Sequence, residues 1–337
     1  MEGKRKGFVA VAALLVVAML VALTGCGSKS TDTSANTNKK VYQIGVIQIV
    51  EDPALDAAYK GFKDEMAAQG YKDGDKIKLD YKVAQGDTNN LNTISTQFVG
   101  AKKDLILAIA TPSAQAVANQ TTTIPIVGTA ITDYVSAKLA KTNDVPGGNV
   151  TGTSDLNPIV KQIDLGISLV PNGKTVGIAY DSSESNSVYQ VSVAKKELAA
   201  KGLKVVEVTA ANANDVQQAI QSLATKTDWI YIPTDNLMAS AISTVVSVAN
   251  SAKKPLIVGE PNLVKGGGLA TIGVDYESLG KMTAKMAIDI LNGKNPGDMP
   301  IQFPTDYTTV INADTVKTLG ITIPSQFQQY VKAQADM

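Results

Sequence analysis

The chain has 337 residues, zero formal net charge, 44% hydrophobic and 18% charged residues, one cysteine and no histidine. These numbers exclude an internal disulfide, a multi-cysteine or histidine-ligated metal site, and nucleophilic sites of the Ser-His-Asp or Cys-His kind. Neutral charge and sparse aromatics, with a single Trp, argue against a nucleic-acid surface, and the length allows two domains of roughly 150 residues each.

Lys4, Arg5 and Lys6 precede an apolar run over 8–23. The run is short for a membrane-spanning helix of ~20 residues and reads as the apolar region of a secretory signal peptide, 1–25. Leu23-Thr24-Gly25-Cys26 looks like a bacterial lipobox, in which Cys26 takes a diacylglyceryl group carrying palmitate-like chains and becomes the first residue after cleavage. Two acyl chains suffice for stable attachment at ~0.8 kcal/mol per buried CH₂. Residues 26–40 then form the lipidated cysteine and a flexible tether, because "SKSTDTSANTNKK" has no apolar periodicity. The expected location is extracytoplasmic, on the outer face of the bacterial cell membrane. Arg5 is the only arginine, so the rest of the chain has no guanidinium with which to bind an anion.

From residue 41 short β-branched runs alternate with helical patterns. Residues 41–50 read as a buried strand. Asp52 and Pro53 then supply an N-cap and first turn for a helix whose face carries Leu55, Tyr59, Phe62 and Met66, with Gly70 as its stop. Strands are expected at 76–83, 104–110, 124–128 and 148–154, with helices at 90–100 and from 112. The second half repeats the theme. "KTVGIAYDSS", "LKVVEVTA" and "DWIYIPTDN" precede helices at 184–201, 213–224 and 237–252; "KPLIVGE" and "GLATIGVDY" follow, then a helix over 276–291 stopped by Gly293. Trp229 reads as packed core, and Gly266–Gly268 as a turn, since a dinucleotide fingerprint must follow a strand. Continuously apolar strands separated by helices predict an α/β fold with two doubly wound parallel sheets, each a lobe covered on both faces.

In such sheets ligands sit beyond the carboxyl ends of the strands. The residues there are Glu51 and Asp52 with Leu55; Thr111 and Ser113; Thr129, Ile131 and Asp133; Asp155; Tyr180, Ser182, Ser183 and Asn186; Thr234, Asp235 and Asn236; and Glu260. Each segment is read as opening a helix, so capping explains any one of them. Two sheets facing one another would gather the set around a cleft whose helix N-termini offer N–H groups to an anion.

"IGVIQIVEDPALDAAYKGFKDEM", "ATPSAQA", "GTAITD", "YDSSESNS", "PTDN" and "GLATIGVDYESLGKMTAKMAIDIL", in that order after a lipobox, resemble the extracytoplasmic substrate-binding proteins of ABC importers. The likeness is to the type I (ribose-binding-like) periplasmic binding protein fold, in its tryptophan/tyrosine-uptake subgroup. It implies a three-segment hinge, with 41–152 plus 275–295 in one lobe and 153–274 plus 301–324 in the other, and crossings near 152–154, 273–275 and 295–303. It also implies a small amino acid-like ligand, aromatic in kind, delivered to a membrane permease by a monomer with no cofactor, no metal and no enzymatic step. The α-carboxylate would meet N–H groups and hydroxyls near Thr111, Ser113, Ser182 and Ser183; the ammonium would meet Asp155 or Asp235. Leu55, Ile131, Tyr134 and Leu156 are the apolar candidates for the side-chain pocket.

Rival readings are a sugar or nucleoside on the same scaffold, a surface receptor or adhesin without a transport role, and a hydrolase. The missing arginines and few aromatics count against a sugar, and no GxSxG elbow supports a hydrolase.

Overall fold

A computed structural model describes Lys40–Met337. The expected signal peptide, Cys26 and most of the expected tether lie outside the described residues. The first sheet is built from β1 (Tyr42–Gln48), β2 (Ile77–Val83), β3 (Leu105–Ile109), β4 (Ile126–Ile131) and β5 (Val150–Ser154), in the order β2-β1-β3-β4-β5 and parallel throughout. Its connections carry α1 (Pro53–Ala68), α2 (Thr88–Gly100) and α3 (Thr111–Ala118). Central β3, "LILAI", is buried at every position, as a strand covered on both faces must be. Edge strand β2 is partly exposed along its length.

The second sheet follows. Its elements are α4 (Ile159–Leu169), β6 (Thr175–Tyr180), α5 (Ser185–Ala200), β7 (Lys204–Thr209), α6 (Ala213–Ala224), β8 (Trp229–Ile232), α7 (Asn236–Ser240), α8 (Ile242–Ser251), β9 (Leu256–Val258), α9 (Pro261–Lys265) and β10 (Ala270–Gly273). After α10 (Tyr276–Leu291) come β11 (Thr308–Asn312), α11 (Ala313–Leu319) and β12 (Val331–Lys332). The order is β12-β11-β10-β9-β8-β6-β7, parallel except for the β10–β11 pair. The helix expected over 237–252 is broken at Ala241 into α7 and α8. Trp229 is wholly buried among Ile163, Leu165 and Ile257. Trp229→Ala should cost about 3–5 kcal/mol of stability, read from the denaturant midpoint of the second lobe.

Three chain segments join the lobes. Thr153 and Ser154 are still strand residues of the first sheet and the Asp155 N–H donates to the Ile131 carbonyl, so the first crossing is 156–158. The second is 274–275, after which α10 returns to the first lobe and buries Leu279, Met286 and Ile290 in its core. Met299 and Ile301 also pack in that core, and Gln302 pairs with Thr153, so the third crossing comes after Gln302. Residues beyond Pro324 add β12 to the second sheet. Asn157 ties two crossings: its Oδ1 accepts from the Val274 N–H (2.9 Å) and its Nδ2 donates to Thr234 Oγ1 (3.1 Å).

Helices α1 and α10 meet backbone to backbone. A Cβ on Gly61 would overlap the Glu277 carbonyl oxygen, and one on Gly280 the Ala58 carbonyl oxygen. This close approach carries Asp52 and Tyr276, at the two helix starts, toward the space between the lobes.

Candidate ligand site between the lobes

The loops after the strands place charge in a consistent way. On the first lobe, Asp52 is the N-cap of α1: its Oδ1 accepts from the Ala54 N–H at 2.7 Å and the Leu55 N–H at 3.2 Å. Asp155, directly after β5, accepts from the Thr132 hydroxyl at 3.1 Å and the Tyr276 hydroxyl at 2.7 Å. On the second lobe, Asp235 caps α7 through the Met238 N–H (2.8 Å) and accepts from the Asp181 N–H and Ser187 hydroxyl, both at 2.7 Å. Glu260 caps α9 through the N–H groups of Asn262 (2.7 Å) and Leu263 (2.8 Å). Glu184 accepts from the side-chain amides of Asn186 (2.9 Å) and Asn236 (2.7 Å).

Helix α3 is different. It has no side-chain cap, its preceding residue Ala110 is held at φ 76°, and the buried hydroxyls of Thr111 and Ser113 have no hydrogen-bond partner. A left-handed backbone at a non-glycine residue stores strain, and buried polar atoms are seldom left alone. The Asn186 side-chain oxygen is also buried and unpaired.

Asp52, Thr111, Asp155, Asn186, Thr234, Asp235, Asn236, Glu260 and Tyr276 line one cavity between the lobes, with Leu55, Leu263 and small alanines supplying apolar wall. Among the described residues no lysine lines it. Its volume is about 20 Å³, room for one water molecule. Outward it meets a wider mouth of about 760 Å³, lined by Pro112, Gln115 and Lys138 on one lobe and by Asp181, Ser183 and Asn236 on the other. Gln115 Nε2 donates across this mouth to Ser185 Oγ at 3.2 Å. The mouth is larger, but the carboxyls of Asp52, Asp155, Asp235 and Glu260 and the unpaired Thr111 hydroxyl and Asn186 oxygen converge on the inner cavity.

Burial without a cation pushes these carboxyls upward. Burial and then the nearby Asp52 charge raise Glu260 to about 8. Burial raises Asp52 to about 6 against the helix N–H groups that favour its charged form, with smaller additions from Asp56 and Asp155. Burial also raises Asp155 and Asp235, and burial plus the Asp235 charge raises Glu184. Perturbed acids in one cleft mark functional positions.

Several sequence-derived positions fall elsewhere. Glu51 and Ser182 are exposed and line neither space. Thr129 is buried and accepts from the Thr153 hydroxyl (3.3 Å), and Ser113 lies behind the cavity wall. Ile131 and Tyr134 are first-lobe core, and Leu156 packs on the second-lobe core, leaving Leu55 as the one apolar candidate on the wall. Asp133 caps a turn through the Ser136 N–H (2.6 Å), and Tyr180 points out to Glu207 at 3.3 Å. Neither the 129–133 segment nor Asp155 opens a helix directly, contrary to the capping expectation: turns follow the first, and α4 starts four residues after the second. Tyr276 and Glu184 join the set. Tyr276 follows β10, a strand end where the same rule would have found it.

A family model described as ABC transporter substrate binding protein matches residues 43–334. The chain belongs to the ABC transporter substrate-binding protein family. It is 44% identical over 316 residues to the tyrosine-binding protein of Clostridioides difficile, covering 92% of this chain and 91% of that one. Among solved structures, an ABC domain from Streptococcus pneumonia in complex with L-Trp is 40% identical, with a TM-score of 0.84 over 87% of this chain and 100% of the other. A ligand-free, open substrate-binding protein with adhesive properties from Clostridium difficile is 43% identical, but its TM-score is 0.67 over 87% and 99% of the two chains. This substrate-binding protein thus fits the open relative less well at similar identity, in keeping with a cleft that is nearly shut. Substrate-binding proteins of ABC importers work on the extracytoplasmic side of the membrane.

Proposed function

We propose that this substrate-binding protein captures a free aromatic amino acid, tyrosine or tryptophan, between its lobes and hands it unchanged to a membrane permease. The observation that carries the reading is the pairing, in one interlobe cavity, of an uncapped helix N-terminus bearing orphaned hydroxyls with buried acids that have no cation. A zwitterion answers both halves. Its carboxylate meets Thr111 and the first turn of α3; its ammonium meets Asp155, with Asp52, Glu260 and the Asn186 oxygen lining the same cavity. Each charge-assisted bond is worth roughly 1.5–3 kcal/mol. Thr234, Asp235 and Asn236 hold the second-lobe wall, and Leu55 and Leu263 flank the ring. Relatives described as a tyrosine-binding protein and as a complex with L-Trp support the choice of ligand class. Since the cavity as it stands has room for only one water, the occupied form closes around the ligand at a wider separation.

The lobes are 41–155 with 274–302, and 156–273 with 303–337. The chain works as a monomer without cofactor, held at the outer face of the cell membrane by lipidated Cys26 and its tether. The relative with adhesive properties supports a second reading, a surface receptor, in which the ligand site serves sensing rather than uptake. A thermal-shift panel of the twenty amino acids and common sugars decides the ligand class. Ligand at a thousandfold excess over its Kd should add ~4 kcal/mol to the native state, so tyrosine or tryptophan should raise the midpoint and sugars should not. A panel in which only sugars respond removes the proposal.

A further inference from the structure

We infer that the acid cluster itself gates the lobes: Asp52 and Asp155 of the first lobe come against Glu260 and Asp235 of the second only on closure, so the empty cleft closes when the cluster has taken up protons and stays open when it is ionised. The gating of the empty protein stands on the cavity alone. Its corollary, that a ligand ammonium takes the place of those protons, rests on the amino-acid reading above.

The argument begins with what faces the cavity from each element. The start of α1 brings Asp52, with exposed Asp56 one turn along and off the lining; the segment after β5 brings Asp155; α10 brings the Tyr276 hydroxyl. Across the gap stand Glu260 at the start of α9 and Asp235 at the start of α7, backed by Glu184 before α5 and Asp181 after β6. The nearest lysine on the lining is Lys138, which is exposed and belongs to the outer mouth. Capping N–H groups, hydroxyls and amides satisfy individual oxygens, but none carries a full positive charge. Bringing like charges together in a space with room for one water is unfavourable, and protonation relieves it.

The direction follows from where protons bind. With the lobes apart, the carboxyls face water and titrate in the ordinary carboxylate range near ~4. With the lobes together, Asp52 is raised to about 6 and Glu260 to about 8. The closed form therefore binds more protons. Its advantage is full below the ordinary range and is lost as pH rises through the closed-form values.

Double electron–electron resonance on the ligand-free full chain tests this, with Cys26→Ser and spin labels at Asn119→Cys and Ala211→Cys, exposed positions facing each other across the mouth. Lowering pH from about 8 to about 5 should move the population from the long to the short distance, with the closed-to-open ratio rising up to about tenfold per pH unit for each linked proton. Glu260→Gln should flatten the dependence and enrich the short distance at pH 8. Asp52→Asn should do the same, and serves if the first variant fails to fold. A distance distribution that does not respond to pH, one that opens on acidification, or an unaltered slope in the folded variants overturns the inference. No ligand is present in this experiment, so a flat profile beside intact amino-acid binding removes the gate alone. A silent amino-acid panel beside a steep profile removes the ligand reading alone.

Discussion

Replacing Gly280 by valine should cost the first lobe about 3 kcal/mol or more, at the upper end of overpacking effects, and lower its melting midpoint by roughly 6–12 °C. The reason is geometric. Gly280 faces the Ala58 carbonyl oxygen, and the opposite side of the same contact has Gly61 facing the Glu277 carbonyl oxygen. Backbone lies against backbone, so no rotamer change can make room, and α1 and α10 must move apart. The consequence reaches the cleft because Asp52 begins one of these helices and Tyr276 the other. Calorimetric unfolding of the variant, followed by ligand titration on the part that remains folded, should show both a lower midpoint and weaker binding. An unchanged midpoint would show that the helix contact does not hold the lobe together.

The second large effect is expected at Asp155. Asp155→Asn keeps an acceptor for the Tyr276 hydroxyl, now 2.7 Å from the carboxylate, while removing the charge. Losing one side of a buried charge pair costs about 2–5 kcal/mol, so amino-acid affinity should fall about thirtyfold or more at 1.4 kcal/mol per tenfold. Stability of the empty protein should move the other way or stay level, because burial opposes the charged form of this group. The two directions separate a binding role from a structural one. A variant that binds as tightly as the parent would remove Asp155 from the ammonium site.

The strand pattern and the alternation with helices were legible because continuous apolar runs such as "LILAI" have few folded uses other than a doubly covered parallel strand. The rule that ligands meet the carboxyl ends of strands picked out Asp52, Thr111, Asp155, Asn186, Asp235 and Glu260, which line one cavity. It could not tell neighbours apart. Glu51 and Asp52 are adjacent, but capping α1 turns Asp52 inward and leaves Glu51 in solvent. Tyr180 ends β6 with its ring toward Glu207, since successive strand residues point to opposite faces. Tyr276 lies just after β10, where the same rule applies, but nothing in the local sequence marks its contact with Asp155, 121 positions away. The break between α7 and α8 at Ala241 has no Pro or Gly to announce it.

The central claim is that both ends of a zwitterion are held at once. Isothermal titration of L-tryptophan and L-tyrosine, beside their N-acetyl and carboxamide derivatives, tests it most directly. The free amino acids should bind, and blocking either the ammonium or the carboxylate should weaken binding by about thirtyfold or more, the cost of leaving its charged partners unmatched. Equal affinity for the blocked derivatives, or no heat from either free amino acid, would contradict it.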